Sequence, residues 1–299
     1  AADPGALMRR RLLYPAALML AAGLVFAVPQ MRARAADALG LNQTIDFGLR
    51  GQLTQGGYAQ GTVPREVRAL SFNGKPVPVT ADGHFFIAFD RDAGPSAQLS
   101  ARLASGDVLS SAFSISKRAW QLEYIPIGPR PGAAPSEEFA RRRAGELARI
   151  NAARSVDHPI DGWRQKFIWP VYGRLSGRFG SQRIYNGTPG SYHSGMDIAT
   201  GASGTPFVAP ADGVVILAAQ DSFTLEGHLL MIDHGMGLNS AFLHCSKLAV
   251  KEGDVVRQGQ YIGNIGMTGR ATGPHLHWSV KWRDSRLDPS LLAGPMPAR

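Results

Sequence analysis

Residues 193–197 of this 299-residue chain read His-Ser-Gly-Met-Asp, and residues 274–277 read Pro-His-Leu-His. The run that follows the second stretch, Trp278 to Trp282, is typical of a β-strand. In a strand, residues two positions apart share a face, with Cα atoms about 7 Å apart. His275 and His277 can therefore reach one small volume, where one ring can bind a metal while the other faces a bound water or a substrate.

The first stretch places His193 and Asp197 four positions apart, a spacing that would put both on one face of a helix. Gly195 lies between them, and residues 187–190 before them include two glycines and a proline. These residues argue against a helix. We expect the pair at the end of a loop that enters a strand, brought together by a local bend at Gly195.

A third stretch, Phe242-Leu243-His244, lies between the first two. Neutral imidazole and carboxylate are good zinc ligands, and three protein ligands leave a fourth position for water. Further histidines can then move protons, because imidazole titrates near neutral pH. A His-x-His pair alone is weak evidence, but its occurrence with the other stretches among glycine-rich loops predicts a zinc site. His234 is the main rival ligand, although the neighbouring Gly235 and Gly237 favour a structural role in a turn.

The first half of the chain alternates short apolar runs with turn residues. This texture predicts a small, sandwich-like β module over residues 41–125. The dipeptide Asn73-Gly74 predicts a tight hairpin. The expected strands are Val67–Phe72, Phe85–Phe89 and Ala97–Leu103.

Residues 126–165 are expected to connect two domains. Four prolines and two glycines fall within residues 126–135, which is typical of a linker. Ser136, followed by Glu137 and Glu138, is typical of a helix N-terminus. We therefore expect a surface-packed connecting helix from Glu137 to Arg154.

Short β runs return over residues 166–292, separated by glycine-rich turns. This segment predicts a second β domain, which carries the histidine stretches. The chain as a whole is therefore expected to be mainly β. The expected strands are Gly213–Leu217, Leu229–Asp233, Gln260–Ile265 and His277–Trp282.

The formal net charge of the chain is +9. Residues 1–35 carry five Arg and one Asp, so the remainder holds 27 basic and 22 acidic side chains. No basic run is interleaved with aromatic residues, and we expect no nucleic-acid partner. Cys245 is the single cysteine, so an internal disulfide is impossible and a buried thiol is expected.

The N-terminal residues 1–35 are typical of a secretory signal peptide. They contain the basic run Arg9–Arg11, an apolar run from Leu12 to Val28, and the small-residue motif Ala33-Arg34-Ala35. An apolar run of about 17 residues is at the short limit for a membrane span, so an uncleaved membrane anchor stays open. Either outcome implies an exported protein.

Residues 170–290 resemble the lysostaphin-type, or LytM-like, zinc endopeptidases of peptidoglycan. The resemblance is carried by seven short stretches in a fixed order. They are Gly177-Arg178-Phe179-Gly180, Arg183-Ile184-Tyr185-Asn186-Gly187, His193-Ser194-Gly195-Met196-Asp197-Ile198, Gly204-Thr205-Pro206-Phe207-Val208-Ala209-Pro210, Gly253-Asp254-Val255-Val256, Gly259-Gln260-Tyr261-Ile262-Gly263 and Thr268-Gly269-Arg270-Ala271-Thr272-Gly273-Pro274-His275-Leu276-His277.

This resemblance implies that His193, Asp197 and His277 hold one zinc ion, and that His244 and His275 are catalytic. It also implies a two-sheet antiparallel β domain with a groove above the metal. Three loops are expected to line that groove, at residues 181–192, 220–228 and 266–274.

The function implied is that of an exported, zinc-dependent endopeptidase that hydrolyses peptide cross-links of bacterial peptidoglycan and binds its peptide stems. Two alternatives stay open. One is a catalytically inert LytM-like activator of a cell-wall amidase, and the other is a latent enzyme whose groove is occluded by its N-terminal region. The stretch at residues 183–187 is similar to versions from diderm bacteria, for which the periplasm is the expected location.

Overall fold

The computed structural model describes residues 45–126 and 136–297. The expected signal peptide at residues 1–35, and with it the possible membrane anchor, lies outside the described residues, as do positions 127–135 of the expected linker. In the described part of the chain, no helix is long and apolar enough to cross a membrane.

The N-terminal part consists of two antiparallel sheets that contribute to one apolar core. Asn73 and Gly74 both have positive φ, at 48° and 78°, as the predicted two-residue hairpin requires. The sheets have the strand orders β1-β2-β5 and β4-β3-β6-β7. Their strands are β1 (Arg50–Gly51), β2 (Tyr58–Thr62), β3 (Val67–Phe72), β4 (Lys75–Val77), β5 (His84–Ala88), β6 (Ser96–Leu103) and β7 (Val108–Ser114).

Helix α1 (Glu137–Arg154) has the predicted bounds. The Ser136 hydroxyl accepts a hydrogen bond from the Phe139 backbone N–H at 3.1 Å and thereby caps the first turn. Only a narrow face is buried: Ile150 and Ala153 pack on the sheet below, whereas Leu147 stays 41% exposed. The helix is thus surface-packed, as its sparse apolar pattern predicts.

The C-terminal part is built on one eight-stranded sheet, which confirms the mainly β fold class. Its strand order is β18-β14-β15-β16-β20-β12-β9, with β21 pairing to β20. The strands are β9 (Arg174–Gly177), β12 (Met196–Ala199), β14 (Gly213–Phe223), β15 (Gly227–Asp233), β16 (Leu238–Cys245), β18 (Val255–Val256), β20 (Leu276–Trp282) and β21 (Ser285–Leu287).

Strand β15 shows why this sheet is apolar on both faces. Leu229 and Met231 pack beneath helix α1, while Leu230 and Ile232 point to the opposite core. A second sheet, of order β13-β19-β17, covers that opposite face, where Phe207 and Phe242 have ring centroids 5.4 Å apart. Its strands are β13 (Pro206–Val208), β17 (Lys247–Leu248) and β19 (Tyr261–Asn264), and the short helix α2 (Pro289–Ala293) follows β21.

A further, three-stranded sheet of order β11-β10-β8 joins the two parts of the chain. Strand β8 (Leu122–Ile125) belongs by sequence to the N-terminal module, yet it pairs in parallel with β10 (Gln182–Tyr185), which forms a hairpin with β11 (Thr188–Tyr192). The buried Arg91 guanidinium adds to this junction, because it donates two hydrogen bonds to the Gly180 carbonyl. The domain bounds 41–125, 126–165 and 166–292 stay a prediction.

Phe86 is the centre of the aromatic contact between the two parts. Its side chain is inaccessible to solvent, and its ring centroid lies 6.4 Å from that of Trp163 and 6.3 Å from that of Trp282. The substitution Phe86→Ala should lower the free energy of unfolding by about 3–5 kcal/mol, as measured by urea denaturation. The matched control Tyr124→Ala, at a side chain 72% exposed, should change it by about 0.5 kcal/mol or less. Equal losses in the two variants would contradict a shared core.

Candidate metal centre

The pairing of β12 with β20 places two candidate ligands side by side. Asp197 lies directly opposite His277 in the antiparallel register, and its Oδ1 is 2.8 Å from His277 Nδ1. His193 stands just before β12, at the end of the loop that follows β11, as predicted. Its Nε2 is 3.1 Å from both Asp197 Oδ1 and His277 Nδ1. The three atoms therefore form a closed triangle.

A backbone contact on the side away from the triangle fixes the orientation of the His193 ring. Its Nδ1 is 3.1 Å from the backbone carbonyl of Arg178. Because a carbonyl oxygen only accepts, the neutral ring carries its proton on Nδ1 and presents the lone pair of Nε2 to the triangle. A hydrogen-bonded second ring nitrogen is typical of histidines that ligate a metal.

The three side chains fit a zinc ion. Two imidazole nitrogens and one carboxylate oxygen match its preferred donors, and the three atoms lie within 4.8 Å of one another. A tetrahedral ion with bonds of about 2.0–2.1 Å holds its ligand atoms about 3.3 Å apart, which is close to the sides of this triangle. A protein supplying three ligands leaves a fourth position for water or substrate.

Two glycines make room for the triangle. A Cβ at Gly177 would lie 2.4 Å from Asp197 Oδ2, and a Cβ at Gly195 would lie 2.7 Å from His277 Nε2 and 2.6 Å from the Trp278 carbonyl oxygen. All three distances are far below van der Waals contact. The absence of a side chain at these two positions is therefore a condition for the observed ligand geometry.

His244 and His275 face the triangle from one side. Their ring centroids are 4.9 Å apart, and His275 Nε2 is 3.7 Å from Asp197 Oδ1. The Nδ1 of His244 is 2.9 Å from the Thr268 carbonyl, and that of His275 is 2.8 Å from the Gly273 carbonyl. Each neutral ring therefore keeps a proton on Nδ1 and leaves Nε2 free to take part in proton transfer.

His244 has an unusual backbone. Its φ is +65°, in the left-handed region that residues other than glycine visit infrequently. The residue lies next to a register irregularity between β15 and β16, and this local distortion turns its ring toward the triangle. Such strain in a buried non-glycine residue is concentrated at functional sites.

Burial and the Asp197 carboxylate set the charges of the site. Burial opposes ionisation of Asp197, but contacts with His193 and His277 outweigh it and hold the pKa of that carboxyl below its usual range. Burial lowers the pKa of His277 and of His244, while the carboxylate overcomes burial at His193 and raises the pKa of that ring. Metal binding therefore competes with protonation mainly at His193.

Two open cavities meet at the triangle. One of about 830 Å³ runs along the β10–β11 hairpin, and one of about 380 Å³ lies over the five site residues. His193, Asp197 and Arg270 line both, so the two form one continuous groove. Residues from all three loops predicted to line it contribute to its walls.

His234, the rival ligand, has a structural role. His234 is inaccessible to solvent and is held between the Asp212 carbonyl and the Ser240 hydroxyl, at 2.8 Å each. Burial lowers the pKa of its ring to about 4, and the predicted structural role is confirmed. Cys245 is buried as expected, and burial raises the pKa of its thiol to about 12.

The structure brings together all five predicted site residues, although their individual roles stay a prediction. The carbonyls of Arg178, Thr268 and Gly273, which orient three of the rings, have no signature in the sequence because every residue carries a carbonyl. Tyr192 also lines the groove, but its hydroxyl is 3.2 Å from Asp90 Oδ1, on the side of the N-terminal sheets.

The fold and the site have known counterparts. The sequence profile of peptidase family M23 matches residues 191–289. A crystal structure of a peptidase M23 from Pseudomonas aeruginosa is 32% identical, with a TM-score of 0.63, over 81% of this chain and 96% of that one.

Two further relatives share the region of the site. The DD-carboxypeptidase/endopeptidase Mpg of Neisseria meningitidis is 36% identical over 127 residues, which cover 42% of this chain and 29% of Mpg. The peptidoglycan DD-endopeptidase ShyA of Vibrio cholerae is 39% identical over 108 residues, or 36% of this chain and 24% of ShyA. The chain thus spans less than a third of the length of these two proteins.

The substitution Gly195→Ala should weaken zinc binding without unfolding the protein. The added Cβ must displace His277, and we expect the zinc dissociation constant to rise by about 10–100-fold, the range found when groups that orient a ligand are lost. A competition titration with a chromogenic chelator measures it. Gly94→Ala is the matched control, because a Cβ there meets no atom within 4 Å. Unchanged affinity in Gly195→Ala would show that His277 is not a ligand.

Proposed function

Since the chain belongs to peptidase family M23, we propose that it is a zinc-dependent endopeptidase that hydrolyses peptide cross-links of bacterial peptidoglycan. The observation that carries this proposal is the triangle of His193, Asp197 and His277, with two further imidazoles facing it from within an open groove. Metallopeptidase chemistry needs these parts: a metal with a free position, groups that transfer protons, and space for a peptide.

Zinc would be held by His193 Nε2, His277 Nδ1 and a carboxylate oxygen of Asp197. When bound, zinc polarises the scissile carbonyl and lowers the pKa of a water molecule toward neutrality. The carboxylate of Asp197 balances part of the charge of the cation. Asp197 contacts His277 on β20 and His193 in the loop before β12. These contacts keep the three donor atoms in place when substrate enters.

His275 and His244 transfer the protons of the reaction. The unprotonated Nε2 of one ring accepts the proton of the attacking water. The other ring, in its protonated form with a hydrogen on both nitrogens, donates a hydrogen bond from Nε2 to the oxygen on which negative charge develops. The protonated ring then delivers its proton to the leaving amine. Burial lowers the pKa of His244, so this ring is neutral at neutral pH and able to accept a proton.

The substrate class rests on the relatives and on the groove. Mpg is named as a DD-carboxypeptidase/endopeptidase and ShyA as a peptidoglycan DD-endopeptidase, and both come from diderm bacteria. An open groove suits a flexible peptide stem within a polymer better than a folded protein. An exported, periplasmic protein acting on D-alanyl–diaminopimelate cross-links follows from this proposal together with the signal peptide expected at residues 1–35.

The complete set of five side chains argues against the inert activator. A protein that only recruits an amidase has no need for two imidazoles with oriented Nε2 atoms beside three metal ligands. Helix α1 lines the smaller cavity beside the groove and none of the groove itself, so occlusion by this helix is not favoured either.

Digestion of purified sacculi by the full-length protein, with mass analysis of the released peptides, tests the proposal. Cross-linked dimers should fall and monomers should rise in parallel. Intact dimers with zinc-loaded protein would contradict the proposal, and cleavage elsewhere would correct the assigned bond.

Two variants should separate metal binding from proton transfer. His275→Ala should lower kcat/KM by about 10²–10⁴-fold, the usual contribution of a general acid or base, yet retain zinc by elemental analysis. His193→Ala should lose zinc and activity together. His84→Ala, in the N-terminal sheets, is the control and should behave as the parent protein. Full activity in either site variant would overturn the assigned roles.

A further inference from the structure

A separate cavity of about 220 Å³ lies between helix α1 and the large sheet, directly beside the metal centre. It shares Ser194, Leu243 and His277 with the cavity over the five site residues. The two spaces therefore adjoin along these residues. Nothing in the proposed chemistry uses this second cavity.

Strand β20 forms the floor that connects the two cavities. His277, Ser279 and Lys281 are two positions apart and share the face that points away from the core residues Trp278 and Val280. At about 3.4 Å per residue, Lys281 lies about 14 Å along the strand from His277. That length corresponds to about four residues of an extended peptide.

Three cationic side chains meet at the far end of this floor. Arg154 comes from the last turn of helix α1, Lys281 from β20 and Arg286 from β21. Among residues 45–126 and 136–297, no carboxylate lies within ion-pair distance of any of the three. The Arg286 guanidinium contacts Tyr192 alone, through a long hydrogen bond of 3.4 Å to its hydroxyl and a cation–π contact with its ring, among the hydrogen bonds, ion pairs and ring contacts of residues 45–126 and 136–297.

Arg154 is the most informative of the three. Its Nε is shielded from solvent and has no hydrogen-bond partner in the described part of the chain. Buried polar groups are nearly always hydrogen-bonded, and an orphaned one in a folded protein calls for a functional reason. Guanidinium nitrogens pair best with the two oxygens of a carboxylate.

The one acidic residue of the cavity is already engaged. Glu226 receives two hydrogen bonds from Arg143, at 2.5 and 2.8 Å. Arg143 and Glu226 thus neutralise each other at the rim. The three cations beyond them form no ion pair in the described part of the chain, so this partly enclosed space carries an excess of positive charge. Attraction to an anion is stronger there than in bulk water.

We propose that Arg154, Lys281 and Arg286 form a specificity subsite that binds a free carboxylate of the peptide whose scissile bond lies at the metal centre. The inference rests on the proposed function and goes beyond it by naming the substrate group recognised. Peptidoglycan stems are built from diamino and dicarboxylic acids and carry free carboxylates. One located within about four residues of the cleaved bond reaches this cluster.

The direct test compares two cross-linked stem-peptide dimers, one with free carboxylates and one with the same groups amidated. For the parent protein, KM should be at least about tenfold lower for the free acid. In Lys281→Met and Arg286→Met, KM for the free acid should rise about tenfold, by the loss of one charge-assisted contact. The rise for the amidated dimer should be much smaller, and kcat should change less than KM.

Lys251→Met is the matched control, because this exposed lysine lines none of the cavities described above. It should show the parent preference for the free acid. Zinc content and melting temperature of each variant separate a folding defect from a binding defect. An equal rise of KM for both dimers in the Lys281 and Arg286 variants would overturn the subsite.

A binding measurement distinguishes failure of the subsite from failure of the proposed function. The His275→Ala protein, titrated calorimetrically with the two dimers, should bind the free acid about tenfold more tightly, and adding Lys281→Met should remove this preference. If the parent protein cleaves neither dimer while this preference is present, the proposed function is wrong and the subsite stands. If cleavage occurs and no preference is found, the subsite is wrong and the function stands.

Discussion

The pairing of Asp197 with His277 across β12 and β20 is the constraint on which the site depends. In an antiparallel ladder, residues directly opposite each other project from the same face with their Cβ atoms about 5 Å apart. This register brings a carboxylate oxygen to 2.8 Å from an imidazole nitrogen before any metal is considered. His193 completes the triangle, because the chain enters β12 through Gly195, where a side chain would collide with the His277 ring.

The large sheet can carry such a polar site because one of its faces is buried in the core and the other is partly open to solvent. One face, including Trp278 and Val280, packs against the second sheet and supplies the apolar core. The other face is covered by helix α1 at one end and left open at the other. Because side chains alternate along β20, one face of this core strand is exposed to the cavities. His277 on that face belongs to the metal centre, and Lys281 belongs to the basic cluster.

The mainly β fold and helix α1 could be predicted because their information is local, and the five site residues because the stretches that carry them resemble a known family. Turn dipeptides, the Ser136 cap and the histidine spacings each act over a few residues. The basic cluster could not be predicted, because Arg154, Lys281 and Arg286 are brought together by the packing of three separate elements. The pairing of β8 with β10 could likewise not be predicted from the sequence, because an edge strand can accept any partner whose backbone is free.

Zinc K-edge X-ray absorption on the purified, zinc-loaded protein tests the central claim most directly. The account predicts one zinc per chain with a light-atom shell at about 2.0–2.1 Å, composed of two imidazoles, one carboxylate and one exchangeable oxygen. A sulfur ligand from Cys245, or a third imidazole that persists when substrate peptide is added, would contradict the account, because the position needed for chemistry would then be filled by the protein itself.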